Sequence, residues 1–313
     1  MANARAKQPS RRAKLMRRYA PIYLMALPGL LYLLVNNYGP MSGMIIAFKN
    51  YRYNKGIWGS DWAGFKNFEF LFKTKDAWMI TRNTILYNLA FIVIGMTLAI
   101  AVAILLNEIR SKAARKLYQT TLLLPFLLSA VVVSYLVYGF LSPDLGFFNN
   151  TLLPALGLDK VSWYSEAQYW PLILVLVHLW MVVGYNCIIY LSTLVGIDRG
   201  YYEAADIDGA TMWQKIRHIT LPCLKPTIIT LLLLALGKIF YSDFGLFYQV
   251  PLNSGALIEV TSTIDTYVYR GLMQSSNISM SSAAGVYQSI VGFVLVLAAN
   301  WVVNKVSKEN ALF

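Results

Sequence analysis

Six stretches of the chain are long and apolar enough to be read as membrane-crossing helices, each needing roughly 20 apolar residues. The first begins near Tyr19, behind a run of basic residues, and the others fall near 83–107, 117–140, 170–194, 225–248 and 283–304. Pro28 and Gly39-Pro40 are expected to kink or end the first. A basic tail before an apolar run also resembles a signal peptide. No small-x-small cleavage site follows here, so the stretch is read as an uncleaved span. The segment 49–82 carries Trp58, Trp62, Phe65, Phe68, Phe70, Phe72 and Trp78, and 141–169 carries Trp163, Tyr164 and Tyr169. Such amphipathic rings suit the headgroup level, which predicts short elements lying on the outer leaflet. Residues 251–282 are Ser/Thr/Gly-rich and sparsely charged. No internal repeat is visible, which predicts a basic tail over 1–18 followed by one six-span domain over 19–313.

Composition narrows the class. Hydrophobic residues make up 57% of the 313 and charged residues 13%, about half the charged share of a soluble domain. The net charge is +12, and its placement matters more than its size. Seven Lys/Arg crowd the first 18 residues, while Arg110, Lys112, Arg115 and Lys116 mark the loop 108–116. Arg199, Lys215, Arg217, Lys225, Lys305 and Lys308 fall on the same predicted side, whereas 141–169 has only Lys160 and 249–282 only Arg270. That asymmetry puts both termini in the cytoplasm and reads as membrane orientation, with no nucleic-acid partner. The segment 49–82, with seven Lys/Arg, is the exception. Cys187 and Cys223 form neither a disulfide framework nor a metal spacing.

The connection from Asp198 to Pro222 is too ordered in pattern to be a passive loop. Asp198 is placed to cap a short helix over 200–207, Gly209 permits a sharp turn, and a second amphipathic helix is expected to reach about 218. Its face is expected to bury Met212, Ile216 and Ile219 and to expose Lys215 and His218. Pro222 and Pro226 fit the first turn of the next span. No G-x-x-x-x-G-K-[ST] phosphate loop occurs, since Gly237-Lys238 is followed by Ile239 within a span.

Glu203-Ala204-Ala205, Gly209, Ile219, Leu221 and Pro222 resemble the EAA loop of the permease subunits of binding-protein-dependent ABC importers. Trp62-x-Gly64-x-x-Asn67-Phe68, Arg82-Asn83-Thr84 and Tyr241-Ser242-Asp243-Phe244-Gly245 are similar to the carbohydrate-uptake branch. The likeness is closest to the oligosaccharide and polysaccharide-fragment permeases, with maltose-type permeases more distant. The resemblance implies an all-α type I permease fold whose loop 198–222 is a cytoplasmic coupling helix. Glu203 would pair with a cation of an ATPase subunit, Ala204 and Ala205 would allow close approach, and Asp208-Gly209 would form the turn. It further implies a second similar permease and two ATPase subunits that bind the ATP and magnesium, this chain holding no cofactor. An extracellular or lipid-anchored sugar-binding protein and a bacterial cell membrane complete the implied setting.

Polar residues inside spans are the candidate solute path. Tyr185, Asn186, Tyr190 and Thr193 occur in the fourth span beside His178, and Lys238, Tyr241, Ser242 and Asp243 in the fifth. Helical periodicity would set Lys238 and Asp243 roughly 140° apart. Asn83, Thr84, Tyr87 and Asn88 open the second span. Rings with amide and hydroxyl groups suit sugars, while the competing reading for each is hydrogen-bonded glue between helices. His178 is expected to be a hydrogen-bonded structural residue, and Gly285 with Ser289 a close-packing pair. Lys238 and Arg270 would favour anionic saccharides. The alternatives are a non-sugar solute, an ion-coupled secondary transporter relaying through Asp243, and a membrane enzyme. The last would need an acid–base or nucleophile set beyond the cluster Asp198, Glu203, Asp206 and Asp208.

Overall fold

A computed structural model of the chain describes residues 11–273 and 277–306, with side chains from Tyr19 to Lys305. The basic side chains of the 1–18 tail and Lys308 lie outside the described residues. Five helices among those residues are long and apolar enough to cross a membrane, six if a pair bent by 99° counts as one span.

The first span starts as α1 (Arg11–Leu33) and stays helical to Phe48. Gly39-Pro40 does not end it. A wide π turn over Leu34–Tyr38 precedes the proline and makes room for its ring and missing N–H. Every side chain from Tyr19 to Ser42 is exposed, so none of the described residues covers that helix. At its far end β1 (Lys49–Asn50) pairs antiparallel with β2 (Asp61–Trp62). Asn67 Nδ2 locks the hairpin by donating to the carbonyls of Ala47 and Lys49, both at 2.9 Å. Phe48 stacks on Trp62 with centroids 6.0 Å apart.

The second span, α2 (Lys75–Glu108), begins eight residues before its predicted start. Thr74 caps it by accepting from the N–H of Ala77 at 3.3 Å, a polar start that hydrophobicity alone misses. Arg115 closes the other end, Nη2 donating to the carbonyls of Asn107 and Ile109 at 2.9 Å each. The fourth span, α5 (Trp170–Val195), packs along α2 and matches its predicted limits. Ala99 and Ala103 of α2 are fully buried in this seam with Cys187, Leu191 and Leu194, small residues that let two helices approach where lipid gives no hydrophobic drive.

The third span is a correction. In place of one helix over 117–140 there are α3 (Lys112–Leu123) and α4 (Ala130–Leu141), whose axes turn by 99°. Pro125 sits in the short 3-10 turn Leu124–Leu127, and the hydroxyl of Ser129 accepts from the N–H of Val132 to restart the helix. The bend leaves α3 hard against α5. A Cβ added at Gly184 would run into the carbonyl oxygen of Leu122.

Past the connection 198–222, α7 (Met212–Leu236) is one continuous rod. The predicted stop near 218 is absent because a π turn over Ile216–Thr220 carries the helix past Pro222. The rod ends at Gly237, and Tyr241–Asp243 is not helical. A π-helical turn over Gly245–Gln249 follows. The predicted continuous helix 225–248 is therefore broken in its second half. α8 (Ile264–Met273) and the last span α9 (Ile278–Val306) complete the fold. At Gly285 no atom lies within 4 Å of where a Cβ would stand, so the expected close packing there is not made among the described residues.

Candidate functional site

Two features stand out: the turn-rich connection after α5, and the break in the fifth span that α7 links to it.

In the connection, α6 (Arg199–Ile207) starts where expected, with Asp198 Oδ1 accepting from the N–H of Gly200 at 2.9 Å. Gly209 has φ +74°, the left-handed region that side chains with a Cβ disfavour. The N–H of Ala210 reaches the carbonyl of Ala205 at 2.9 Å across that turn. Thr211 and Gln214 then form a reciprocal capping box at the start of α7. Two side-chain contacts brace α6 against α7: Lys215 Nζ to Asp206 Oδ1 at 2.5 Å, and Tyr202 Oη to Thr220 Oγ1 at 3.0 Å. The amphipathic assignment is reversed in part. Lys215 turns inward to meet Asp206, while Met212 is exposed.

The rest of the connection is open. Glu203 is exposed, and among the described residues its carboxylate has no partner. Ala204 and Asp208 are exposed beside it and Ala205 is half-buried. Tyr201, Trp213 and Ile207 add apolar surface, Ile207 being 87% exposed. A rigid turn carrying a bare carboxylate within an apolar rim has the make-up of a contact surface.

The break in the fifth span exposes backbone groups that hydrocarbon would not satisfy. Asn88 of α2 donates to the carbonyls of Ile239 at 3.0 Å and Tyr241 at 2.9 Å. Gln288 of α9 donates to the carbonyl of Phe240 at 2.5 Å. Asp265 of α8 accepts from the N–H of Ser242 at 2.6 Å, from its hydroxyl at 2.8 Å, and from Gln288 Nε2 at 3.1 Å. Asp243 Oδ1 starts the next turn by accepting from the N–H of Leu246 at 3.1 Å. Ser242 is thus turned inward, whereas Lys238, Tyr241 and Asp243 stand exposed at the break. With no helix there, the helical angle between Lys238 and Asp243 does not apply.

The fourth-span candidates separate. Tyr185 is exposed and stacks on Phe126 with centroids 4.3 Å apart, while Asn186 is half-buried. Tyr190 is 1% exposed and packed in the α2–α5 seam, so within this chain it lines no open path. Thr193 meets Thr227 of α7 at 3.1 Å. His178 lies flat on Phe91 at 3.7 Å, a stacking role in place of the expected hydrogen bond.

At the start of α2 the polar cluster holds the segment before α8. Asn83 Nδ2 donates to the carbonyls of Glu259 and Ser262, Tyr87 Oη donates to that of Val260, and Thr84 Oγ1 accepts from the N–H of Ile264. Asp265 and Gln288 are not among the residues singled out from sequence. The one signal for Gln288 was an amide within a mostly apolar span, and Asp265 carried none.

The chain matches the family model described as binding-protein-dependent transport system inner membrane component over residues 91–308. Protein LplB of Bacillus subtilis (strain 168) is 34% identical over 290 residues, 92% of this chain and 90% of that one. The polygalacturonan/rhamnogalacturonan transport system permease protein YteP of the same strain is 34% identical over 289 residues, 92% and 89% of the two chains. The crystal structure of a bacterial ABC transporter involved in the import of the acidic polysaccharide alginate contains a similar chain. Its TM-score is 0.87 at 34% identity, covering 95% of this chain and 100% of that one. A second crystal structure shows a bacterial alginate ABC transporter in complex with an alginate pentasaccharide-bound periplasmic protein, with TM-score 0.85. The fold, the EAA-type connection and these matches agree: the chain belongs to the binding-protein-dependent transport system inner membrane component family.

Proposed function

We propose that this chain is one transmembrane subunit of an ATP-driven importer of oligosaccharides, with residues 198–222 facing the cytoplasm as the coupling element. The observation that carries the reading is mechanical. The braced turn at α6 runs without interruption into α7, a 25-residue rod that ends at the break in the fifth span. At 1.5 Å per residue that rod is about 37 Å long. Movement imposed on Glu203 and its rim would reach Gly237 as a rigid-body displacement, which a floppy loop would absorb.

In this reading two ATPase subunits bind the ATP and magnesium and dock on the exposed rim of α6, a cation of theirs pairing with Glu203. The uncovered helix Tyr19–Ser42 meets lipid and a second, similar permease. A sugar-loaded binding protein docks at the hairpin end, outside. ATP closes the ATPases, the coupling elements turn the rods, and the polar break with Lys238, Tyr241 and Asp243 opens to the loaded side. Hydrolysis resets the site toward the cytoplasm. The relatives support a saccharide cargo, and those named for alginate and polygalacturonan favour fragments bearing carboxylates.

The test is a gentle pull-down of the tagged chain from native membranes, with stoichiometry by intact mass, beside Glu203→Lys. The expected result is a second permease and two ATPase subunits, depleted by the charge reversal. Recovery of the chain alone, or as a homodimer, would overturn the reading in favour of secondary transport.

A further inference from the structure

Arg270, on α8, stands in an unusual setting. Its Nη1 donates to Ser262 Oγ at 2.7 Å, and no carboxylate among the described residues pairs with it. Its Nε is out of contact with solvent and has no hydrogen-bond partner among the described residues. Burial pulls its guanidinium below the ordinary arginine range. A half-buried cation without a counter-charge is costly to hold and, where it persists, marks a place for an anion.

The guanidinium borders a cavity of about 420 Å3 between α8, the start of α2 and the start of α9, within the size range of small-molecule sites. Three further walls bear on its chemistry. Tyr267 presents a ring whose other neighbour is Phe70, 5.6 Å away. Burial and the nearby Asp76 carboxylate keep its phenol protonated, a donor at any physiological pH. Asp76 itself, at the first turn of α2, supplies an acceptor, and Asn277 and Ser281 supply short polar groups. Cation, aromatic ring, carboxylate acceptor and hydroxyl-sized donors form one concave surface. A neutral sugar would leave the cation unmatched, and a simple anion would leave the ring and Asp76 without work. A ring that bears both a carboxylate and hydroxyls answers all four, its carboxylate on Arg270 and its hydroxyls on Asp76.

We infer that this cavity is an outward-facing subsite for a uronate ring of the transported saccharide, with Arg270 as the specificity-determining residue. The inference rests on the importer reading above and names the cargo class within it. The subsite sits beside the carbonyls of Glu259 and Ser262 that Asn83 holds, and Ser262 is itself tied to Arg270. Occupancy is therefore transmitted to α2 at the outer end of the bundle.

The experiment uses the complete transporter in vesicles, with its partner subunits and binding protein. Uptake of a galacturonate pentasaccharide is compared with that of its carboxyl-reduced, neutral counterpart. Arg270→Gln removes a charge-assisted pair, so the acidic-to-neutral ratio of kcat/KM falls about ten- to a hundredfold, carried by KM. Arg270→Lys restores part of the ratio. Asn277→Asp is the second probe, because aspartate keeps the capping role of Asn277 at the start of α9 while adding a negative wall. It also lowers the ratio. Equal losses on both sugars would assign Arg270 to holding Ser262 and overturn the subsite while leaving the importer reading intact. Wild-type vesicles that take up neither sugar, and whose ATPase neither sugar stimulates, would overturn the saccharide reading and the subsite with it.

Discussion

The carboxylate of Asp265 accepts both the backbone N–H and the hydroxyl of Ser242, at 2.6 and 2.8 Å. These residues lie on different elements, Asp265 in α8 and Ser242 in the break after α7. The contact supplies the acceptor that the broken helix lost, and Asn88 and Gln288 pair the neighbouring carbonyls, so the break is a built feature. The rod is held at one end by Asp265, Gln288 and Asn88 and braced at the other by Lys215 and Tyr202.

Asp265→Ala leaves the Ser242 N–H without its acceptor, while Gln288 Nε2 keeps the Phe240 carbonyl. The expected cost is about 1–3 kcal/mol for the buried N–H left unpaired. Asp265→Asn keeps one carbonyl oxygen and falls between. The check is the thermal midpoint of the purified complex in detergent, with Asn88→Leu as the parallel case from the α2 side. An alanine variant as stable as wild type would mean that water reaches the break freely.

Gly184→Ala is expected to be far more damaging than an average helix substitution. A methyl there overlaps the Leu122 oxygen, which is backbone and has no rotamer to change. Overpacking of this kind costs about 1–3 kcal/mol or more. Gly139→Ala, with nothing within 4 Å, should be neutral or slightly stabilising. Expression level and thermal midpoint of the two variants, side by side, measure the difference.

How the chain spells out these features varies with the physics behind each. The 170–194 stretch predicts α5 almost to the residue because a span with polar ends is bounded by hydrophobicity alone. The capping pattern Asp198, Gly209 and Thr211 is local, and the connection it predicts is present. The two breaks were hidden for different reasons. Around Pro125 the residues remain apolar, so the run looks unbroken while the backbone turns, whereas Lys238, Ser242 and Asp243 at the second break read as a polar lining within a continuous helix. What permits the second turn comes from far along the chain: Asn88 lies 151 residues before Ile239, and Gln288 lies 48 after Phe240. The polar residues that looked like a solute path divide on the same basis. Asn83, Thr84 and Tyr87 are bonded to distant backbone, whereas Lys238 and Asp243 remain open.

The brace between α6 and α7 is expected to matter for coupling more than for stability. Lys215 is mostly covered but Asp206 is 61% exposed, and ion pairs reaching solvent contribute at most about 1 kcal/mol. Lys215→Ala, Asp206→Ala and the double variant form a cycle whose thermal interaction energy should be small. Sugar transported per ATP hydrolysed should fall in all three by a similar factor, since either single change already removes this half of the brace. A double variant whose losses multiply would show that the two residues act separately.

Gly209 separates geometry from contact. Its φ of +74° is open to glycine, and no atom lies within 4 Å of where a Cβ would stand. Gly209→Ala therefore meets no clash, and its cost is the left-handed backbone alone, about 1–2 kcal/mol. Asparagine tolerates that region better than alanine, because its short polar side chain bonds locally. The expected order of sugar uptake is Gly, then Asn, then Ala, with the ATPase activity of the assembled complex less affected than transport. Alanine relieves its strain by unwinding the turn, which lets α6 swing without moving α7. If alanine and asparagine variants were equally impaired, bulk against the ATPase surface would be the cause, and Gly209 would belong to the contact rim with Glu203.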